Sequence, residues 1–485
     1  MIKTPVVLMW FRLDLRLHDN PALNAAIETA KALQAQLVPI YIASEQNELG
    51  SASRVWLHHS LQALNTDLFQ ELGVSMSLFQ LEEPLAVFER LKQQYEVKGI
   101  YWNRCYEPSR ILQDQAVKSF FKSQAIACQS FNGSLLWEPW DVTKADGEPY
   151  RVFTPFFRKG CLSARSPRTP VALTKLDQTL LDPIRLAGAC ELNDMRLLPS
   201  LPWANAMMSH WHVGERAAHT ALQVFLENGL TSYKEKRNHP AQPHVSRLSP
   251  YLHFGEISVN QVWYAVKAHS QTTKTALDVD VDHFCSELAW REFSYHLLFY
   301  HPDMPSRNLQ KKFDVFAWQF NASFFQAWKR GQTGYPIVDA GMRELWQTGY
   351  IHNRVRMVVA SFLVKNLLID WRLGAQWFLD CLVDADLANN SASWQWVAGC
   401  GMDAAPYFRV FNPVLQGEKF DADGAYVKRF VPELARLPGK YLFCPWDAPA
   451  GVLQQAGVSL GKTYPNPIVD LSSSRDLALS HFKQL

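Results

Sequence analysis

Two different spacings of apolar residues divide this chain. Up to about residue 133, short apolar runs alternate with longer segments in which apolar residues recur at helical intervals. The runs lie at 6–11, 37–42, 75–79, 99–102 and 126–131, and the helical segments lie at 21–34, 52–72 and 84–94. Strands that alternate with helices indicate right-handed βαβ crossovers. We therefore expect residues 1–133 to form an α/β domain with a doubly wound parallel sheet.

The rest of the chain divides into a proline-rich segment and a long segment with helical spacing. Residues 134–202 are irregular and rich in proline, which is typical of a connector between domains. Beyond residue 202, helical spacing recurs at 214–226, 259–268, 280–300, 323–331, 336–348, 353–370 and 373–382, without a convincing strand. We expect residues 203–485 to form an all-α domain, and this domain contains 12 of the 17 tryptophans.

Charge and cysteine content narrow the class of protein. The 485 residues suffice for about two to four domains. The 48 Lys and Arg against 46 Asp and Glu give a net charge of +2, which excludes a strongly basic, histone-like binder but not a local basic groove. The eight cysteines form no CxxC pair, which favours a reducing compartment. The longest apolar stretch, 357–369, is too short to cross a membrane, so we expect a cytoplasmic protein.

One predicted helix carries a carboxylate, an indole and a guanidinium on the same face. Glu287, Trp290 and Arg291 are spaced i, i+3 and i+4 within 280–300. This spacing fits a site for a flat polar ligand such as a nucleobase, and it equally fits a Glu287–Arg291 ion pair over a half-buried indole. The start of the helix predicted at 353–370 adds a second set of polar and apolar side chains, which are Asn353, Arg354, Arg356 and Met357.

The segment 384–396 concentrates carboxylates, amides and indoles. They are Asp384, Asp386, Asn389, Asn390, Trp394 and Trp396. A metal site is conceivable from the two aspartates, but no His or Glu at ligand spacing accompanies them. Hydrogen bonding to a polar heterocycle suits these donors and acceptors better. The G-x-G-x-x-A match at 399–404 lacks a strand–helix–strand context, and no G-x-G-x-x-G follows the first strand, so neither place predicts an ordinary dinucleotide site.

Two further patterns have a functional and a plain interpretation. Ser246, Arg247, Leu248 and Ser249 precede a predicted helix, where hydroxyl, guanidinium and backbone N–H groups hold phosphate oxygens. A helix cap with a serine turn fits that segment equally well. Indole yields an electron to a strong oxidant, so the spaced residues Trp318, Trp371 and Trp394 fit an electron route from a buried redox cofactor to the surface. Core packing explains each of these tryptophans separately.

Five motifs together resemble the photolyase/cryptochrome family. They are WFRLDLR at 10–16 with HDN at 18–20, ELAWRE at 287–292, TGYPIVD at 333–339, IHNR at 351–354 and WQW at 394–396. The resemblance runs from residue 5 to about residue 470, in the family's order. Within the family, the chain looks most like the bacterial class I cyclobutane pyrimidine dimer photolyases.

This resemblance implies a photolyase/cryptochrome architecture, with an antenna chromophore in residues 1–133 and U-shaped FAD, active when reduced, in residues 203–485. It implies cofactor contacts from Tyr233, Ser246, Arg247, Leu248, Ser249, Glu287, Arg356, Asp384, Asp386 and Asn390. It also implies that Asn390 faces flavin N5 and that Arg356 pairs with Asp384. The antenna stays open between methenyltetrahydrofolate and deazaflavin, with flavin as a third choice. Asn103 and 105–108 lie where it would bind, but Ser109 and Arg110 replace the Asn and Glu of folate-binding members.

The resemblance further implies UV-damaged DNA as the partner of a monomeric enzyme. The lesion pocket would comprise Glu287, Trp290, Asn353, Met357 and Trp396, and would receive a dimer flipped out of the duplex. DNA contacts would come from Arg237, Trp290, Arg291, Asn353, Arg354, Trp396, Gln416 and Lys419. Photoexcited FADH⁻ would donate an electron to the dimer, the cyclobutane ring would split, and the electron would return. Trp394, Trp371 and Trp318 match the family's photoreduction chain.

Two rival functions remain within the same family. A six-four photoproduct photolyase relies on a His pair where this chain has Asn353 and Arg354. A light-sensing cryptochrome signals without repair, and such members often replace the amide found here as Asn390. The residues at these positions favour dimer repair over both rivals.

Overall fold

A computed structural model describes residues 3–43, 49–80, 82–176, 184–273, 276–407 and 409–485. The strands are β1 (Pro5–Phe11), β2 (Gln36–Ala43), β3 (Ser77–Gln80), β4 (Glu96–Asn103) and β5 (Ala127–Phe131). In the described part of the chain they pair in parallel in the order β3-β2-β1-β4-β5. The helices between them are α1 (Pro21–Ala32), α2 (Ser51–Leu72), α3 (Pro84–Gln94) and α4 (Pro108–Ser123). The doubly wound α/β domain is confirmed.

Local sequence signals mark the start of α1 and the end of α2, whereas the apolar stripe of α4 is weak. α1 begins after Asn20, whose side chain accepts a hydrogen bond from the Leu23 N–H at 3.1 Å, and Pro21 occupies its first turn. α2 ends at Gly73, whose φ of 68° is left-handed. The sequence interpretation missed α4, because it buries only Asp114, Val117 and Phe121 and so lacks a marked apolar stripe.

The crevice between β1 and β4, where a parallel sheet usually binds a ligand, is filled by buried polar side chains. The Arg12 guanidinium pairs with Asp114 at 2.6 Å and donates to the backbone carbonyl of Asn103. The Asn103 amide donates to Asp14 at 2.6 Å and to Asn20 at 2.7 Å. These contacts fill the crevice with protein side chains, which agrees with the absence of a dinucleotide motif after β1.

The chain beyond the sheet is mainly helical, as expected. Its helices are α5 (Phe153–Pro155), α6 (Trp203–Met208), α7 (Glu215–Asn228), α8 (Tyr233–Lys236), α9 (Ser249–Phe254), α10 (Val259–Thr272), α11 (Asp278–Tyr300), α12 (Ala322–Lys329), α13 (Pro336–Thr348), α14 (Asn353–Ser361), α15 (Trp371–Cys381), α16 (Leu387–Ala398), α17 (Pro413–Phe420), α18 (Ala425–Phe430), α19 (Gly439–Leu442), α20 (Ala450–Ala456) and α21 (Leu471–Phe482). Among the described residues, none of these helices combines the length and apolarity needed to cross a membrane.

One helix prediction is wrong in its extent. The continuous helix expected at 353–370 instead consists of α14 followed by one wide π turn at Phe362–Asn366. The backbone leaves the helix at Leu368, where φ is 52°, and Asp370 then caps α15 by accepting the Arg372 N–H at 2.9 Å. Trp371 therefore begins a helix instead of following the end of one.

The proline-rich connector wraps the helical part, with α5 and a π turn at Phe156–Gly160 as its ordered centre. Its residues 177–183, which include one of its prolines, Pro183, lie outside the described residues. Helix α2 joins the two parts, because the Trp56 ring packs against Trp211, Tyr251 and Phe254 of the helical part. One apolar cluster thus spans both parts.

Candidate active site

A cavity of about 720 Å³ opens between α8, α9, α11, α14 and α16. This volume lies within the range usual for cofactor sites. Its wall contains all five residues expected for the lesion pocket, namely Glu287, Trp290, Asn353, Met357 and Trp396. It also contains the expected cofactor residues Tyr233, Ser246, Leu248, Ser249, Arg356, Asp384, Asp386 and Asn390. Residues far apart in the chain therefore converge on one space.

The expected pair between Arg356 and Asp384 is present. The Arg356 Nη2 lies 2.8 Å from one carboxylate oxygen of Asp384 and 3.1 Å from the other. The Arg356 Nε donates to the backbone carbonyl of Ile351 at 2.7 Å, which fixes the guanidinium plane. Two charged groups are thus held in a defined geometry in the cavity wall.

Asp386 is the second anchored carboxylate. It caps α16 by accepting the Asn389 N–H at 2.7 Å, and it also accepts the hydroxyl hydrogen of Tyr295. Burial alone would raise the pKa of Asp386, but His253, the charge of Arg291 and the Asn389 N–H outweigh burial and lower it. Among the described residues, no group of three or more His, Cys, Asp and Glu side chains is arranged to hold a metal ion.

Asn390 lies one turn further along α16. Its side-chain Nδ2 donates to the backbone carbonyl of Ala375 on α15 at 3.1 Å. The amide is therefore fixed to the neighbouring helix while still lining the cavity. A fixed neutral amide offers hydrogen bonds to a ligand without adding charge.

The segment 246–249 lies at the cavity wall, except for one side chain. The Leu248 N–H points to Ser246 Oγ at 3.4 Å, and both residues line the cavity with Ser249. Arg247 has a φ of 51°, and its guanidinium stacks on Trp211 at 4.2 Å, away from the wall. The structure thus separates Arg247 from the other residues of the segment.

On α11, the carboxylate of Glu287 contacts one residue from another element and one from its own helix. Arg237, at the end of α8, donates from Nη1 to Glu287 Oε1, and His283 Nε2, one turn earlier on α11, lies 3.9 Å from the same oxygen. Arg291 instead donates to the backbone carbonyl of Ser134 at 2.8 Å. The i,i+4 ion pair that was the plain alternative for Glu287 and Arg291 is therefore not formed.

Trp290 is held from behind by the connector. The Phe153 ring stacks on the Trp290 indole with centroids 3.7 Å apart and planes 11° apart. The Phe153 N–H donates to Asp403 Oδ2 at 2.7 Å, which anchors the connector to the loop after α16. The orientation of the indole is thus set by a residue far from it in sequence.

Helix α14 presents the other expected side chains. His352 caps it, since its Nδ1 accepts the Arg354 N–H at 3.1 Å. Burial, followed by the charges of Arg237, Arg356 and Arg354, lowers the pKa of His352 to about 3, so its imidazole is neutral. The Arg354 Nη2 donates to Asn238 at 2.7 Å. Burial and the neighbouring guanidiniums of Arg237 and Arg409 lower the pKa of Arg354, which shows that cations cluster at this side of the cavity.

The remaining residues expected to bind DNA have different positions. Arg291 lines the cavity, but its side chain is only 11% exposed, so it lies inside and not on the rim. Gln416 and Lys419 lie on α17 and do not line the cavity. Their helix reaches the cavity region through Phe420, whose ring lies 4.4 Å from the Arg354 guanidinium.

The three expected electron-transfer tryptophans lie at different depths. Trp394 lines the cavity, Trp371 is fully buried, and Trp318 is partly exposed. The Trp371 Nε1 donates to Asn308 at 2.9 Å. The backbone beside Trp318 bonds to the turn before Trp371, since the Gln319 N–H donates to the Leu368 carbonyl at 2.7 Å.

The residues expected near the antenna are enclosed. Asn103, Cys105 and Tyr106 are each no more than 6% exposed, and the Tyr106 hydroxyl donates to Glu138 at 2.6 Å. Arg110 in the first turn of α4 lies 3.8 Å from Glu107, the residue that precedes this helix. These side chains contact other protein groups and leave little surface for a chromophore.

Two cavity-lining residues, His253 and Asp403, were not predicted from the sequence. Neither were Phe153, which stacks behind Trp290, and the exposed Arg409 beside Arg354. His253 lies on the helix that begins at Ser249, one turn beyond the 246–249 segment, and this position was an available signal. The others come from the connector and from the loop after α16, and no local periodicity marks them.

Comparisons with known proteins agree on the family. The model described as DNA photolyase matches residues 7–174, and the model described as FAD binding domain of DNA photolyase matches residues 284–484. A deoxyribodipyrimidine photo-lyase of Agrobacterium fabrum is 46% identical over 99% of this chain and 98% of its own length. Cryptochrome-1 of Arabidopsis thaliana is 36% identical over 96% of this chain and 69% of its own length.

A solved structure bears on the subclass. The crystal structure of a bacterial class III photolyase from Agrobacterium tumefaciens has a TM-score of 0.93 at 45% identity, and the match covers 100% of this chain and 98% of that one. The class I assignment is therefore not confirmed. Two family models, full-length relatives and the shared fold lead to one conclusion: the chain belongs to the photolyase/cryptochrome family, whose helical half is an FAD-binding domain.

Proposed function

We propose that this protein is a deoxyribodipyrimidine photo-lyase that uses light to split cyclobutane pyrimidine dimers in UV-damaged DNA. One observation carries the proposal. A single cavity combines an anchored set of hydrogen-bonding groups for a flavin nucleotide with two indoles and a carboxylate suited to a flipped pyrimidine pair. The bacterial relative at 46% identity, which bears the name of this activity, supports the same conclusion.

The cavity fits FAD by its size and by its chemistry. Buried polar atoms in its wall lack protein partners, among them both ring nitrogens of His253 and the Arg354 Nε. Asp384, Asp386 and Asn390 supply acceptors and an amide for the ring and sugar chain, and Ser246 and Ser249 supply hydroxyls for the phosphates. Reduced FAD held by these residues would supply one electron to the dimer on absorbing blue light and would recover it once the two carbon–carbon bonds of the cyclobutane ring have opened, so that the net oxidation would be zero.

The residues of the chain hold the lesion for this reaction. Trp290 and Trp396 offer flat apolar faces to the two pyrimidine rings, and stacking of this kind offsets the few kcal/mol needed to flip a damaged site. Glu287 offers a hydrogen-bonding carboxyl group to the polar edge of the dimer. Arg237, which pairs with Glu287 in the free protein, holds that group in place until the lesion enters.

The structure described as a class III photolyase bears on the subclass of this protein. We place the protein with the bacterial class III photolyases instead of class I, because 45% identity and a TM-score of 0.93 relate it to a member described as class III. Methenyltetrahydrofolate and deazaflavin both remain candidates for the antenna. Cofactor extraction followed by an absorption spectrum will distinguish them.

A direct test uses two irradiated oligonucleotides. Protein reconstituted with FAD and reduced in solution is mixed with UV-irradiated oligo(dT) and, separately, with an oligonucleotide containing a six-four photoproduct. After blue light, chromatography is expected to show loss of cyclobutane dimers only in the lit sample, with the six-four photoproduct unchanged. Repair of the six-four photoproduct alone would assign the rival repair activity.

The cryptochrome relatives suggest a third outcome of this experiment. Absence of repair on either substrate, in protein whose flavin is still photoreduced, would refute the proposal and favour a light-sensing role. The variant Trp396→Ala tests the lesion pocket, because it removes one indole face while leaving the cofactor residues intact. It is expected to weaken binding of irradiated DNA without loss of bound flavin.

A further inference from the structure

One histidine in the cavity wall has no hydrogen-bond partner in the protein. His253 lies on α9, its side chain is 5% exposed, and neither ring nitrogen has a partner. A neutral imidazole carries one donor and one acceptor, and a buried polar group left unpaired is costly. The ring is therefore suited to a polar ligand in the cavity.

The neighbouring carboxylate cannot satisfy the ring. Asp386 Oδ2 lies 3.7 Å from His253 Nδ1, which is longer than a hydrogen bond. Asp386 is also held in place, because it accepts from the Tyr295 hydroxyl and from the Asn389 N–H. The two polar atoms thus lie side by side in the cavity wall, where one ligand group can contact both.

A second buried histidine shows why position matters. His296 on α11 is 1% exposed and also lacks partners for both ring nitrogens. Aromatic rings surround it, with Phe156 at 5.0 Å and Tyr300 at 4.9 Å, and it does not line the cavity. Of these two histidines, His253 alone combines the unpaired nitrogens with access to the cavity, and this makes His296 a matched control.

We propose that His253 donates a ring N–H to an oxygen atom of the bound flavin nucleotide, beside the group that Asp386 contacts. The inference rests on the proposed function, because it requires a flavin nucleotide in this cavity. The accepting oxygen is a ring carbonyl, a ribityl hydroxyl or a hydroxyl of the adenosine half. All three accept from an imidazole N–H, so His253 is a binding residue for the cofactor whichever of them it meets.

The test measures flavin affinity in the dark, without reference to repair. Apoprotein is titrated with FAD while flavin fluorescence is followed, for wild type, His253→Leu, His253→Gln and His296→Leu. Loss of one hydrogen bond in His253→Leu is expected to weaken FAD binding by about 3- to 10-fold. His253→Gln keeps a donor and is expected to bind FAD within about twofold of wild type. His296→Leu is expected to bind FAD as wild type does.

The results separate this inference from the proposed function. If wild-type apoprotein binds no FAD, the proposed function fails. If wild type binds FAD and His253→Leu binds it equally well, only the role of His253 is overturned. Thermal unfolding of each apoprotein shows whether a variant folds, and His253→Phe, which keeps a ring without nitrogen, replaces His253→Leu if that variant does not.

Smaller flavins identify the accepting oxygen. The wild-type and His253→Leu titrations are repeated with FMN and with lumiflavin, which lacks the ribityl chain. A difference that persists with lumiflavin assigns a ring carbonyl, and one that persists only to FMN assigns a ribityl hydroxyl. A difference confined to FAD assigns the adenosine half. No difference with any flavin overturns the inference.

Discussion

At the scale of single residues, two buried carboxyl groups close to the domain boundary behave in opposite ways. Burial alone would raise the pKa of Glu215, but hydrogen bonds from the His18 ring and the Leu17 N–H, together with the His219 imidazole 3.9 Å away, outweigh it and hold the pKa at about 2. Burial raises the pKa of Glu256 to about 8, although Trp56 Nε1 and the Gly214 N–H donate to it. Position alone therefore leaves one group ionised and the other protonated near neutral pH.

Glu256 makes folding stability depend on pH. In the unfolded chain its pKa is about 4.3, so it is ionised at pH 7, whereas the folded protein keeps it protonated. Folding thus takes up a proton, and the contribution of Glu256 to the free energy of unfolding is lost as pH rises from about 4.3 to about 8. Between pH 5 and pH 8, wild type is expected to lose up to a few kcal/mol more than Glu256→Gln in urea unfolding.

The control for this prediction is an exposed glutamate. Glu89 is exposed on α3, and Glu89→Gln is expected to follow the pH dependence of wild type. If Glu256→Gln shows the same pH dependence as Glu89→Gln, Glu256 is not protonated in the folded protein.

At the scale of elements, the contact between α15 and α16 determines where the cavity-lining indole of Trp394 lies. A Cβ atom added at Gly374 on α15 would lie 2.2 Å from the Trp394 ring and 2.6 Å from Leu363. Such a close approach requires glycine. It also explains how α15 can bring Trp371 and α16 can bring Trp394 into the same apolar cluster.

Gly374→Ala is expected to destabilise the protein by about 1–3 kcal/mol through overpacking. Gly451 on α20 is the matched control, because an added Cβ there meets no atom within 4 Å. Gly451→Ala is expected to stabilise by about 0.5–1 kcal/mol, as alanine does at open helical sites. Urea unfolding measures both effects, and equal stability of the two variants would contradict this view of the helix contact.

The same pair of helices carries the proposed electron route. In Trp371→Phe the easily oxidised indole is removed, while a ring of similar shape remains in the buried site. Photoreduction of oxidised flavin, followed by absorbance, is expected to be blocked, and repair by chemically reduced protein is expected to continue. Trp446→Phe, which alters a tryptophan packed against Tyr335, should photoreduce as wild type does. Unimpaired photoreduction in Trp371→Phe would refute the assigned route.

The helix predicted at 353–370 also shows that local spacing does not determine where a helix ends. The prediction of one helix over 353–370 followed from the helical spacing of its apolar residues, yet the chain widens into a π turn and leaves the helix at Leu368. This segment is apolar because it is buried on all sides. Burial alone does not require that the segment form one regular helix. The cap at Asp370 was the local signal for a new start.

At the scale of the whole molecule, near-neutral charge coexists with a local cluster of cations. The net charge is +2, while Arg237, Arg354 and Arg409 lie close enough that the first and third lower the pKa of the second, in addition to its burial. A protein of this kind is expected to hold a short stretch of DNA around one lesion.

Binding of irradiated duplex DNA is expected to weaken with salt, by about 0.9 log unit per log unit of salt for each phosphate neutralised. Arg409→Gln removes an exposed guanidinium beside the cavity and should lower this slope by about 1. Arg475→Gln on α21 makes the same charge change elsewhere and should leave the slope unchanged. Fluorescence anisotropy at several salt concentrations measures the slopes. Equal slopes in the two variants would place Arg409 outside the DNA contact.

The sequence by itself determined the α/β and helical halves, because continuous apolar runs and i, i+3, i+4 spacing are local properties of a chain. It also determined which faces carry Glu287, Trp290, Asn353 and Met357, since residues on one helix share a face by geometry alone.

Only the tertiary structure decided the partners of those faces. The pairing of Arg237 with Glu287, the stacking of Phe153 on Trp290 and the close approach of His253 to Asp386 join residues from separate elements. Such contacts depend on how the elements pack against one another, and no periodicity along the chain encodes the distance between two separate elements.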